Sequence, residues 1–164
     1  VGAHLYPHWF GEEPGHRMYY PFYAKCAELG IPLQIQIGHS AQHFLPTVAN
    51  PMTLDRVAID FPELTIVGIH IGYPWVEEMI SVTWKHPNVY VGCDAHSPKY
   101  WDPSFIRFIN SRRGQDKVLF GTDWPVIDFE RAVNEIGELG LKEDVMKKLF
   151  WENAIRVYGL EEWV

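Results

Sequence analysis

Asp123 and His70 are the two residues whose type and place in this sequence best suit chemistry. Asp123 follows Lys117-Val118-Leu119-Phe120-Gly121-Thr122, which reads as a short buried strand ending on a carboxylate. His70 closes Thr65-Ile66-Val67-Gly68-Ile69 in the same way. A polar residue where a buried strand leaves the core stands at the mouth of a parallel sheet, and α/β proteins build their sites there. A rim carboxylate can bind a divalent metal, or hold a water and take its proton. Histidine is the side chain that ordinarily titrates near neutral pH and suits proton transfer. Taken singly, Asp123 equally suits a turn or a helix cap, and His70 a hydrogen-bonded structural role. As a pair on one rim they make a general acid/base with a carboxylate partner.

Gln36 and His39 extend the group. Leu33-Gln34-Ile35-Gln36-Ile37 alternates apolar and polar residues, which in a barrel aims Gln34 and Gln36 inward. Glutamine is a poor zinc ligand and a good hydrogen-bonding group, so Gln36 reads as a substrate contact. His39 lies just past the strand end, where a ligand sits. Tyr73, Trp75 and Trp124 follow strands and are expected to wall the pocket, and Trp101 falls in a loop of the same kind. His4 can face a barrel interior, and His8-Trp9-Phe10 can form part of a lid or a partner contact. His43 reads as a solvated loop residue. Asp94 is expected as an exposed turn residue, and His16, His86 and His96 at the surface, His96 alone being on the rim.

The elements that must hold these residues alternate along the chain. Strands are expected at 1–6, 33–37, 65–70, 89–92 and 118–121. Helices are expected at 19–29, from Asn50-Pro51 to Asp60, at 74–85, from Asp102-Pro103 to Ser111, and at 128–138, 142–150 and 152–158. Asn-Pro and Asp-Pro are helix starts, with the polar residue as cap and proline in the first turn. Gly30 suits the left-handed residue that ends a helix. Strict βα alternation with short apolar strands predicts an α/β fold with a parallel sheet, in one domain spanning residues 1–164. Five strands suit either an open doubly wound sheet or strands four to eight of a (β/α)₈ barrel, which needs about 250 residues. The chain opens in mid-strand without an initiator Met, which leads us to expect the C-terminal part of a longer protein. The strands at 1–6 and 118–121 would then carry open edges, so a homo-oligomer or a further half of the barrel is expected to cover them.

Composition excludes other classes. The net charge of −7 argues against a nucleic-acid surface. Apolar residues make up 47%, and no run approaches the roughly 18 needed to cross a bilayer. Two cysteines without CxxC spacing argue against a disulfide framework and predict a reducing, cytoplasmic setting. Glycine-rich phosphate loops, HExxH and GxSxG are absent, which argues against nucleotide binding and serine hydrolysis.

The runs ELGIPLQIQIGHS, FPELTIVGIHIGYPWVEEMISVTWKHPNVYVGC, VLFGTDWPV and WENAIRVYGL, in that order, resemble the amidohydrolase-related family of metal-dependent decarboxylases, hydrolases and hydratases. The resemblance covers about Val1 to Leu160. It implies a distorted (β/α)₈ barrel, a small aromatic or anionic substrate, and a divalent metal, zinc by expectation with manganese as the alternative. His70 matches the family's catalytic histidine and Asp123 its metal-binding aspartate. Glu152-Asn153-Ala154 matches a helix packed under the barrel and reads as structural. Two departures stand out. The family's first-strand His-x-His pair has no counterpart here, and its fifth-strand metal histidine falls at Gln36, or passes its role to His39. The alternative this leaves open is a non-catalytic barrel piece serving as a binding or oligomerisation module.

Overall fold

The computed structural model describes residues 1–163. Five strands form one parallel sheet: β1 (Ala3–Leu5), β2 (Leu33–Gln36), β3 (Ile66–Ile69), β4 (Val89–Gly92) and β5 (Val118–Leu119). Each strand pairs only with its neighbours in sequence, in the order β1-β2-β3-β4-β5. A doubly wound sheet reverses its strand order at a switch point, whereas barrel staves follow one another. The observed order is that of a barrel. Among the described residues, β1 and β5 each leave one edge unpaired.

Helices fill the crossovers: α1 (Tyr20–Leu29), α2 (Leu54–Asp60), α3 (Val76–Lys85), α4 (Pro103–Ile109), α5 (Phe129–Gly137), α6 (Glu143–Lys147) and α7 (Asn153–Tyr158). Gly30 closes α1 at φ 62°. The Asp102 carboxylate accepts from the Ser104 N–H, and Asp128 caps α5 by accepting from the Arg131 N–H. Asn50 accepts from the Met52 N–H, but the chain first makes a 3-10 turn at Pro51–Thr53, so α2 starts later than its cap suggests. The two expected last helices are continuous, joined by a π-helical segment over Lys148–Glu152.

Alternation along the strands divides the side chains between two layers. Leu33, Ile35, Ile66, Val89, Val91 and Val118 join the core under the helices. Val67, Ile69 and Leu119 face the other way and pack with Tyr90, Ala154, Val157 and Tyr158. On that inner face His4, Gln34, Val67 and Tyr90 lie abreast, with Gln36 and Ile69 abreast one step further on. The inner face is thus polar on β1 and β2 and apolar from β3 to β5. Helix α7 closes its lower end. Asn153 is fully buried and donates to the carbonyls of Gln115 and Val118, at 2.9 and 2.8 Å, holding the start of β5. Tyr158 accepts from Gln34 at 2.6 Å.

Two sequence expectations need correcting here. Trp101 is core, 4% exposed, with its indole N–H donated to the His96 carbonyl and its ring edge-on to Phe105. His86 is buried and bonds Asp55 at 2.7 Å, because the end of α3 folds back on α2. Both cysteines are free and buried. Among the described residues no helix is long and apolar enough to cross a membrane.

Candidate active site

The ends of β3, β4 and β5 converge at the carboxyl rim, and four non-glycine residues there hold positive φ: His70 (68°), Ile71 (49°), Ala95 (61°) and Asp123 (54°). Such backbone is costly for side chains with a Cβ and persists where surrounding contacts impose it, often at functional sites. The imposing contact at His70 is visible. Its backbone N–H donates to Asp94 Oδ1 at 2.7 Å, so the carboxylate after β4 pins the turn after β3. Asp94 reaches this place because Gly121 leaves room: a Cβ there would lie 3.1 Å from that of Asp94. Asp94 is therefore a brace beneath the site and not an exposed turn residue. Burial pushes its carboxyl above the usual carboxylate range, against the pull of His70.

His70 Nε2 stands 3.7 Å from Asp123 Oδ2. The histidine is 8% exposed, while the aspartate side chain is 45% exposed. That distance is ion-pair range and too long for a hydrogen bond. Both residues line an open cleft of about 1000 Å³, together with His4, Gln36, His39 and His96. His96 was expected at the surface and is instead half-buried. Burial, with the neighbouring His39 and His70, pulls its imidazole down to about 4, so it is neutral at neutral pH.

A chain of contacts stitches the rim loops together. The His8 Nε2–H donates to the Gly38 carbonyl at 3.0 Å, and the His39 N–H donates to the Tyr73 carbonyl at 2.8 Å. Rings of His39, Tyr73 and His96 pack with centroids 5.0 to 5.7 Å apart. Next to His96, Ser97 donates to Glu135 on α5, which also takes Arg131 Nε at 2.7 Å. His8 is thus a buried tie between loops, with its Nδ1 enclosed and unpartnered among the described residues.

Glu135 makes the last tie pH-dependent. Burial alone would raise its carboxyl, but the bonds from Ser97 and Arg131 outweigh it and hold it at about 2. A folded-state value below the unfolded one adds stability above the unfolded value, and that stability is lost as pH falls from about 5 to about 2. Glu135→Ala is expected to be less stable than the wild type at pH 7, with a gap that narrows through this window. Urea midpoints at several pH values measure it, and a constant gap would refute the tie.

Of the residues expected in the site, His70, Asp123, His39 and Gln36 share the cleft, while Tyr73, Trp75 and Trp124 do not line it. The Tyr73 ring is engaged with His39 and His96. Trp75 precedes α3, where its carbonyl accepts from the Met79 N–H. Trp124 is 74% exposed, turned outward by the bend after Asp123. The apolar walls are Trp9, Phe10, Met18, Tyr19 and Phe22, from the long loop after β1 and the start of α1. Their signal in the sequence was Trp9-Phe10 directly after a strand, on the same rim as Asp123.

A family model described as amidohydrolase matches residues 1–160. The chain belongs to the amidohydrolase family. No curated protein of established function matches it. Among solved structures, this amidohydrolase chain resembles a TIM-barrel protein from Bordetella bronchiseptica at 36% identity and a TM-score of 0.80, over 90% of this chain and 52% of that one. It shares its fold with 5-carboxyvanillate decarboxylase from Sphingomonas paucimobilis, at 16% identity and a TM-score of 0.72, over 96% of this chain and 58% of that one. The 5-carboxyvanillate decarboxylase from Novosphingobium aromaticivorans DSM 12444 matches at 19% identity and a TM-score of 0.70, over 95% of this chain and 55% of that one. That last structure is complexed with manganese and 4-hydroxy-3-methoxy-5-nitrobenzoic acid. The amidohydrolase chain thus spans just over half the length of these structures, and its five strands are part of a TIM barrel.

A metal is implied by the family, and the donor set of this chain does not complete a site for one. Among the described residues no three His, Cys, Asp or Glu side chains come together to hold an ion. Catalytic zinc sites use three protein ligands. Here the β2 position of interest is a glutamine, and the His39 Nδ1 turns toward the Tyr73 carbonyl at 3.4 Å.

Proposed function

We propose that this segment carries the acid/base half of a hydrolase or decarboxylase acting on a small aromatic or anionic compound, with His70 as the proton carrier. The observation that carries this reading is the His70–Asp123 pair, set on strained backbone at the mouth of a parallel sheet and lining one cleft. The similar decarboxylase structures support an aromatic acid as substrate, and the manganese in one of them supports manganese over zinc for the whole protein.

Both reactions require one proton at one place. When a carboxyl group leaves an aromatic ring, the electron pair of the broken C–C bond stays on the ring carbon and must take up a proton. When an amide or ester is cleaved, the leaving nitrogen or oxygen must take one up. His70 in its imidazolium form can give that proton from Nε2, and Asp123 Oδ2 stands 3.7 Å from that atom. Asp94 fixes where the ring stands by holding the backbone beneath it. The walls from Trp9 to Phe22 are suited to cover an aromatic ring.

A second reading, a non-catalytic binding module, is favoured by Gln36 and by the incomplete donor set. The test is CO₂ release from aromatic carboxylates and cleavage of aromatic amides and lactones, with and without Mn²⁺ or Zn²⁺. Turnover by the wild type that is lost in His70→Asn supports the enzyme. Ligand binding without turnover under every condition supports the module.

A further inference from the structure

Gln36 is 8% exposed, yet its side-chain amide makes no hydrogen bond to any described residue. It is not sealed in either. Among the described residues, the enclosed polar side-chain atoms that lack a partner are His8 Nδ1 and Thr83 Oγ1, whereas Gln36 lines the cleft. Its backbone is fixed in β2, in register with Ile69, the residue before His70. A largely buried amide therefore presents an unused N–H donor and an unused carbonyl acceptor to the cleft, one strand from the proposed proton carrier. An unpaired polar group of this kind costs free energy unless a ligand or water pairs with it.

An amide is self-complementary. It makes two parallel hydrogen bonds with a group that offers a donor beside an acceptor, such as a carboxamide or an un-ionised carboxyl. A carboxylate offers acceptors only and would set one of its oxygens against the glutamine carbonyl. The surrounding charge points the same way. The cleft lining includes Asp123 and no lysine or arginine among the described residues, and the cation proposed there, His70, already faces the Asp123 carboxylate at 3.7 Å.

We propose that Gln36 is the specificity-determining residue of this cleft, and that it reads a neutral group with adjacent donor and acceptor, a carboxamide or a carboxylic acid, on an aromatic ring. This rests on the reading of the cleft as a substrate site and narrows it toward amide-bearing substrates.

The test is calorimetric titration of the chain with benzamide and with benzoate, backed by quenching of tryptophan fluorescence, since Trp9 lines the cleft. Two net hydrogen bonds predict that benzamide binds about tenfold or more tightly than benzoate. In Gln36→Leu that preference should fall to about twofold or less, with circular dichroism confirming the fold. Gln36→Met, which keeps the side chain's length and removes donor and acceptor alike, should lose it as well. The comparison of probes on the wild type needs no variant and stands even if both variants misfold. Benzoate binding as tightly as benzamide, or a benzamide preference that survives in Gln36→Leu, overturns the role of Gln36 and leaves the cleft a substrate site. No binding of either probe to the wild type overturns both.

Discussion

His70→Asn is expected to lower turnover by about 10² to 10⁴, the usual contribution of a positioned proton carrier, while leaving the protein folded. Asparagine suits this test because it tolerates the positive φ of 68° that His70 holds. Its backbone N–H can still donate to Asp94, so the brace survives the substitution. What is lost is a titratable nitrogen 3.7 Å from Asp123. Steady-state kinetics across pH, alongside a thermal melt, separate a chemical loss from unfolding. Turnover kept within about tenfold would remove His70 from the chemistry.

Gly38→Ala should be the most damaging small substitution at the rim, costing about 3 kcal/mol or more from strain and overpacking together. Gly38 sits at φ 91°, and a Cβ there would lie 2.3 Å from the Tyr73 carbonyl oxygen and 2.8 Å from the Gly72 carbonyl carbon. Those atoms are backbone and cannot rotate aside. The residue also holds three loops at once: its N–H donates to the Ala49 carbonyl, its own carbonyl accepts from His8, and His39 beside it donates to Tyr73. Moving any of these shifts His39 and the Tyr73 ring away from His96. Urea unfolding gives the stability change, and ligand binding to the surviving folded fraction gives the effect on the cleft. A loss below about 1 kcal/mol would mean that the two loops do not approach as described.

Sequence alone carried the order of elements, because apolar runs of strand length alternate with capped helical stretches and each signal is local. Asp102, Asp128 and Gly30 act at helix ends as their residue types require. The inward aim of Gln36 was legible too, since a strand turns every second side chain to the same face. His70 and Asp123 could be named because both follow strand-length apolar runs. Their separation, and the left-handed backbone that produces it, could not be read, because that backbone is imposed by contacts between loops far apart in sequence. Asp94 shows this most plainly. Alone it is a turn aspartate, and it becomes a brace only when Gly121, just past the end of β5, leaves space for its side chain. The same holds for His96, drawn under neighbours 23 and more residues away in the chain, and for Trp75 and Trp124, which share the rim but not the cleft. Periodicity sets which way a strand residue points. Where loop residues point is decided by packing and hydrogen bonding between crossovers, and that is information only the tertiary structure holds.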